Sequence, residues 1–122
     1  MMLPISEFQN PDWIIKNVRK ENAAVFVAED DGKIVGYSLG WIGQPWGYKG
    51  KRGYFCDCFV EEPYRRQGVG LALSEALIEW FKEKNVECIE ADVYSGNEES
   101  LKMFKKLGFK EVSKRLRIIL KK

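Results

Sequence analysis

The stretch Val60-Glu-Glu-Pro-Tyr-Arg-Arg-Gln-Gly-Val-Gly-Leu71 decides the fold. Ahead of it, Tyr54-Phe-Cys-Asp-Cys-Phe-Val60 is rich in aromatic and β-prone residues and reads as a buried strand. Behind it, Val69, Leu73, Ala76, Leu77 and Trp80 form an apolar stripe at helical spacing. The segment is therefore a strand–turn–helix joint whose turn holds Arg65, Arg66, Gly68 and Gly70. A helix N-terminus leaves about four backbone N–H groups without partners and carries a partial positive charge. The two glycines let a ligand approach that backbone, and the two arginines add charge beside it. This combination favours capture of a phosphate or pyrophosphate. No Gly-Lys-Ser/Thr follows, so it is not a Walker loop, and no third glycine stands at position 73 to complete a dinucleotide fingerprint. A tight turn with close helix packing is the plain alternative for a Gly-x-Gly pair.

The chain has 122 residues, enough for one domain (1–122) with a single modest core. Its apolar and charged fractions, 45% and 31%, are those of an ordinary globular protein. A formal net charge of +2 is too small to make nucleic acid the main partner. No apolar run approaches a membrane span, and Met1-Met-Leu-Pro-Ile-Ser has neither the basic start nor the apolar core of a signal peptide. The three cysteines form no framework pattern and suit a reducing cytoplasm. Cys56-x-Cys58 has only Cys88 to add to it, so reduced, buried thiols are the expectation and no metal is assigned. Histidine is absent altogether, which excludes Ser-His-Asp and Cys-His triads and any His-ligated metal. Proton transfer must then fall to a carboxylate, a tyrosine, water or the substrate.

Along the chain, Pro11 to Lys20 reads as a short amphipathic helix capped by Asn10, with Trp13, Ile14 and Val18 on its apolar side. Ala24–Ala28 and Lys33–Ile42 read as a hairpin closed by Asp30-Asp31-Gly32. Gly43 to Gly53, with four glycines, a proline, two aromatics and three cations, reads as a surface loop. It is either a solvated hairpin tip or an acceptor lid walled by Trp46 and Tyr48. A helix over Val69–Lys84, ended by Asn85, leads to a strand over Glu87–Val93. Asn97 caps a second helix that Gly108 stops, with Phe109 folding back on Phe104. Lys110 to Lys122 reads as one strand or two, with Leu116, Ile118 and Leu120 on one face.

Arg65-Arg-Gln-Gly68-Val-Gly70 resembles the Arg/Gln-x-x-Gly-x-Gly/Ala signature of the GNAT superfamily of acyl-CoA-dependent N-acyltransferases. Ala28-Glu-Asp-Asp-Gly-Lys-Ile-Val-Gly36, Asn97-Glu-Glu-Ser100 and Lys105-Lys-Leu-Gly-Phe109 resemble that family at its own spacing, from about Val25 to Phe109. The resemblance implies an α/β fold: a mixed central sheet with helices on both faces, here truncated at the N-terminus. The family carries a further strand and helix before the first hairpin, so part of the acceptor-side wall would be missing or supplied by a second subunit in a homodimer. It implies acetyl-CoA as co-substrate and an amine, on a small molecule or a peptide, as acceptor. Cys58, Phe59 and Val60 would lie along the pantetheine arm through their backbone. Arg66, Gln67, Gly68, Val69, Gly70 and Leu71 would wrap the pyrophosphate, and Arg65 would point outward or reach the adenosine phosphate. Asn97 would add a pantetheine contact to its capping role.

Asp57 is the candidate base, because a strand carboxylate is costly to bury unless paired or wet, and an attacking amine must lose a proton. A structural, hydrogen-bonded aspartate is the alternative, and Glu61 and Glu62 are expected to be solvated. The resemblance implies an acid that in many family members is a tyrosine on the second helix, three residues before Leu-Gly-Phe. Phe104 occupies that position, so Tyr94 becomes the substitute, or water protonates the thiolate. Two functions follow: an N-acetyltransferase acting by direct transfer, and a non-catalytic acyl-CoA-binding module.

Overall fold

The computed structural model describes residues 14–44 and 49–121. They divide into two compact units, one ending at Asp92 and the other beginning at Val93. The first unit holds a five-stranded sheet in the order β1 (Ile14–Arg19), β2 (Ala23–Asp30), β3 (Lys33–Gly43), β4 (Arg52–Val60), β5 (Cys88–Ala91). The first four strands run antiparallel, and β5 joins β4 in parallel through the crossover helix α1 (Val69–Glu83). The sheet is mixed for the reason the sequence implies: hairpin turns serve antiparallel neighbours, whereas a parallel neighbour needs a helix-length connection. Asp31 and Gly32, with φ of 50° and 82°, make the β2–β3 turn.

Helix α1 lies on one face of this sheet. Val69, Leu73, Leu77, Trp80 and Phe81 are buried there against Ile15, Phe26, Val35 and Phe55. The small residues of β3 and β4 let it come close. A Cβ on Gly40 would stand 2.7 Å from Phe81 Cζ, and one on Gly53 would stand 2.6 Å from Phe81 Cδ1. Ser38, fully buried, donates to the Leu73 carbonyl at 2.9 Å, so the one polar side chain of β3 in this layer is satisfied. The opposite face carries the rows Lys16–Val27–Tyr37–Phe59 and Val18–Val25–Leu39–Asp57 across β1 to β4. Arg19 reaches from β1 to Glu83 at the end of α1, 3.0 Å away, and covers the Phe26 ring.

The second unit contains α2 (Glu98–Lys106). Asn97 accepts from the Ser100 N–H at 3.2 Å, as its capping position predicts, with Glu98 and Glu99 in the first turn and lysines in the last. Gly108 takes φ 103°, and Phe109 packs edge-on against Phe104 with centroids 5.0 Å apart. Neither described helix is long and apolar enough to cross a membrane.

Three expectations are corrected. Residues 14–19 form strand β1, not the end of a helix; Ile14, Ile15 and Val18 are β-branched, and pairing with β2 settles the conformation. Gly43 and Gly53 belong to β3 and β4 and pair with Arg52 and Ile42, so the loop between these strands is shorter than its glycine content suggests. Residues 110–121 contain neither strand nor helix, because an alternating pattern becomes a strand only where a partner ladder is available. Asn10, Pro11, Trp13, Trp46 and Tyr48 lie outside the described residues.

Candidate functional site

Strand β4 is the spine of the site. Its ladder with β5 runs from Arg52↔Cys88 to Phe55↔Ala91 and stops. Among the described residues, Cys56 to Val60 have β3 on one side and no strand on the other. An unpaired edge of this kind accepts the amides of an extended ligand as an added strand.

Cys56 is the extra residue of a bulge, since Leu39 faces Asp57 while Gly40 faces Phe55. The bulge shifts the alternation by one residue. Cys58 turns toward α1, where its thiol lies 3.7 Å from Ser74 Oγ and 3.8 Å from the Gly70 carbonyl oxygen. Burial pushes the Cys58 thiol above its ordinary pKa, partly opposed by the hydrogen bond with Ser74, while the nearby Asp57 carboxylate adds to the rise. Cys56 itself is exposed, as is Cys88, so the expected burial of all three thiols holds only in part for Cys58.

The same bulge carries Asp57 to the opposite face. It is exposed rather than buried, and Tyr37 Oη donates to its Oδ2 at 2.8 Å. That bond, reinforced by desolvation and the carboxylate's charge, holds the Tyr37 phenol above its usual pKa. The Tyr37 ring tilts against Phe59 at 6.0 Å, and Trp41 stacks on Tyr54 at 4.6 Å. Sequence reasoning missed Tyr37. Its proximity to Asp57 depends on the β3–β4 register, and only the Phe59↔Tyr37 pairing places the phenol diagonally across from the carboxylate.

After Val60 the chain makes a short 3-10 turn over Glu62–Tyr64. Glu61 pairs with Lys33 Nζ at 3.5 Å, whereas Glu62 is exposed. Arg65 donates from Nε to the Val60 carbonyl at 2.8 Å, and its guanidinium covers Phe59 at 5.7 Å. It thus clamps the turn onto the end of β4. Gln67 donates to the Pro63 carbonyl at 3.0 Å. Arg66 and Gly68 take φ of 63° and 87°, in the left-handed region. Gly68 is the N-cap of α1 and has no side chain to cap it. A Cβ at Gly68 would meet nothing within 4 Å, so the space beside this helix start is open. Gly68 therefore offers no side-chain acceptor to the first-turn N–H groups of α1, and Arg65 and Arg66 precede them in the chain. A diphosphate fits that arrangement, and a thioester arm bearing amides fits the unpaired edge of β4 leading to it.

Tyr94 and Asn97 belong to the second unit, where the Asn97 N–H donates to the Tyr94 carbonyl at 3.1 Å. Tyr94 is exposed, and Phe104 is buried beside Phe109.

Residues 3–109 match the Acetyltransferase (GNAT) family. The chain belongs to that family. It is 37% identical over 109 residues to an N-alpha-acetyltransferase of Sulfurisphaera tokodaii, covering 82% of this chain and 64% of the relative. The chain thus spans just under two thirds of the length of that curated relative. In structure it resembles the BH1408 protein of Bacillus halodurans, with a TM-score of 0.73, 30% identity, and coverage of 84% of this chain and 69% of that one. It also resembles the aminoglycoside N-acetyltransferase AAC(6')-Iy in complex with CoA, with a TM-score of 0.71 and 25% identity over 84% of this chain and 78% of that one.

Proposed function

We propose that the protein transfers an acetyl group from acetyl-CoA directly to a primary amine. The observation that carries this reading is convergence at one strand end: the unpaired edge of β4 runs into the uncapped start of α1. The backbone of Cys58, Phe59 and Val60 holds the pantetheine arm. Arg66, Gln67, Gly68, Val69, Gly70 and Leu71 enclose the diphosphate, with Arg65 securing the turn and adding charge, and Asn97 giving a further contact to the arm. The names of the archaeal relatives favour an α-amino group as acceptor. Trp46 and Tyr48 are assigned to its walls.

Acetyl transfer forms a carbon–nitrogen bond and breaks the carbon–sulfur bond of the thioester. Asp57 takes the amine's proton through water, with Tyr37 fixing the carboxylate's orientation. Tyr94 returns a proton to the departing thiolate. Holding amine and thioester together supplies much of the rate, and backbone N–H groups beside the bulge polarise the carbonyl. The protein acts as a homodimer in the cytoplasm; exposed Val18, Trp41 and Phe59 on one sheet face support the first statement and three free thiols the second.

A second reading has one specific support. Phe104 places a hydrocarbon ring where the family resemblance implies a phenol, so a non-catalytic acyl-CoA-binding module keeps the cleft and lacks the acid. Thiol release from acetyl-CoA across a panel of peptide and small amines decides between them. Turnover that Asp57→Asn lowers by roughly a hundredfold supports the enzyme. Binding of acetyl-CoA without turnover on any amine supports the module.

A further inference from the structure

The turn between β4 and α1 poses a physical problem. Arg65, Arg66, Gln67 and Gly68 are all exposed, so burial in the core does not fix their conformation. Yet Arg66, a side-chain-bearing residue, is held at φ 63°. Left-handed backbone at such a residue costs about 1–2 kcal/mol and persists only where the surroundings over-determine it. At its exit the turn is anchored by Val69, which is buried under the sheet. At its entry Arg65 ties the turn to the Val60 carbonyl of β4, and a further anchor joins it from outside that strand.

That anchor comes from the distant β2–β3 hairpin. Tyr64, the last residue of the 3-10 turn, donates its phenol to Asp30 Oδ2 at the end of β2. The Glu61 N–H donates to the Val35 carbonyl at 2.8 Å, and Lys33 pairs with Glu61 at 3.5 Å. The Lys33 pair is exposed and worth little, and the Glu61–Val35 bond is backbone that any variant retains. The Tyr64–Asp30 bond is partly buried, charge-assisted and removable by one side chain.

We infer that Tyr64 and Asp30 are positioning residues for acetyl-CoA: their bond holds the diphosphate turn in its binding-competent form before the ligand arrives. The inference rests on the acetyl-CoA reading above. Neither residue is among those assigned above to hold the ligand. Releasing the phenol lets residues 65–68 sample other conformations, and apparent affinity falls in proportion to the competent fraction. The effect belongs to binding of acetyl-CoA and not to the chemical step.

The test uses calorimetric titration of the full chain with acetyl-CoA, alongside kinetics on the best amine. Tyr64→Phe keeps the ring and removes the hydroxyl; it and Asp30→Ala should each raise Kd by roughly three- to tenfold. The double variant should lose no more than either single one, because both break the same bond. Asp30→Asn keeps an acceptor oxygen for the phenol without the charge and should lose less affinity than Asp30→Ala; Tyr64→Phe carries the test if Asp30→Ala fails to fold. The KM for acetyl-CoA should rise while kcat at saturation is unchanged, a split that general loss of stability does not produce. A wild-type chain that binds while Tyr64→Phe binds equally well overturns the brace alone, as do fully additive losses. A wild-type chain that binds no acetyl-CoA overturns the acetyltransferase reading and the brace with it.

Discussion

Gly68 is required by conformation and by space. With φ 87° and nothing within 4 Å of a built Cβ, Gly68→Ala meets no neighbouring atom in the protein. Its cost is backbone strain of about 1–2 kcal/mol, together with a methyl group facing the open helix start. Acetyl-CoA affinity should fall at least tenfold, about 1.4 kcal/mol, in a calorimetric titration. Gly108→Ala is the control, since Gly108 has φ 103° and equally open surroundings. Both variants should melt earlier, and only Gly68→Ala should bind acetyl-CoA more weakly. Cys58 gives a pH-dependent counterpart. Burial raises its pKa, so the folded state holds the thiol proton more tightly than the unfolded state, whose value lies near 9.0. The corresponding stability is complete below pH 9.0 and is lost as pH rises through the folded pKa. The wild-type melting temperature should therefore fall more steeply above pH 9.0 than that of Cys58→Ala. At neutral pH an alkylating reagent should label exposed Cys88 before half-buried Cys58.

Close approach of α1 to the sheet is what binds the elements of the first unit, and glycine sets the distance. Gly40→Ala puts a Cβ 2.7 Å from Phe81, 3.0 Å from Leu77 and 3.0 Å from the Tyr54 carbonyl oxygen. The ring can shift but the strand backbone cannot, so overpacking should cost about 1–3 kcal/mol, read as a lower denaturant midpoint with an unchanged slope. The elements themselves were legible wherever local chemistry and tertiary pairing agree. The β2–β3 hairpin, β4, α1 and α2 follow from periodicity, Asp31-Gly32, Asn97 and Gly108. Residues 14–19 misled because Ile14 and Val18 satisfy a helical spacing as well as a strand ladder, and β2 decides between them. The tail misled for the opposite reason: its alternation has no partner strand among the described residues. The strand–turn–helix joint over residues 60–71 was readable because its backbone geometry is encoded by consecutive residues. Tyr37 beside Asp57 and Tyr64 beside Asp30 were not, since each pair joins residues 20 or 34 positions apart through register.

At the scale of the whole molecule, a sheet covered by α1 on one face still presents Val18, Trp41 and Phe59 on the other at 44–66% exposure. Light scattering at micromolar concentration should give twice the mass of one chain, and a monomer under those conditions removes the case for the homodimer. Of the two residues proposed for proton transfer, Asp57 lies in the first unit and Tyr94 in the second. Tyr94 is the only tyrosine after Asp92. If its phenol protonates the thiolate, Tyr94→Phe should lower kcat and kcat/KM together and leave acetyl-CoA affinity untouched, the mark of a group acting only in the transition state. If water does so, Tyr94→Phe changes neither quantity. Phe104→Tyr then introduces the phenol that the family resemblance implies at this position. Because Phe104 is buried against Phe109, the new hydroxyl must find a partner or cost about 1–3 kcal/mol of stability. Where the hydroxyl reaches the sulfur, the rate should rise by roughly tenfold to a hundredfold. An unchanged rate in Tyr94→Phe with a faster Phe104→Tyr identifies water as the proton donor of the wild-type chain. A fall in Tyr94→Phe alone identifies Tyr94.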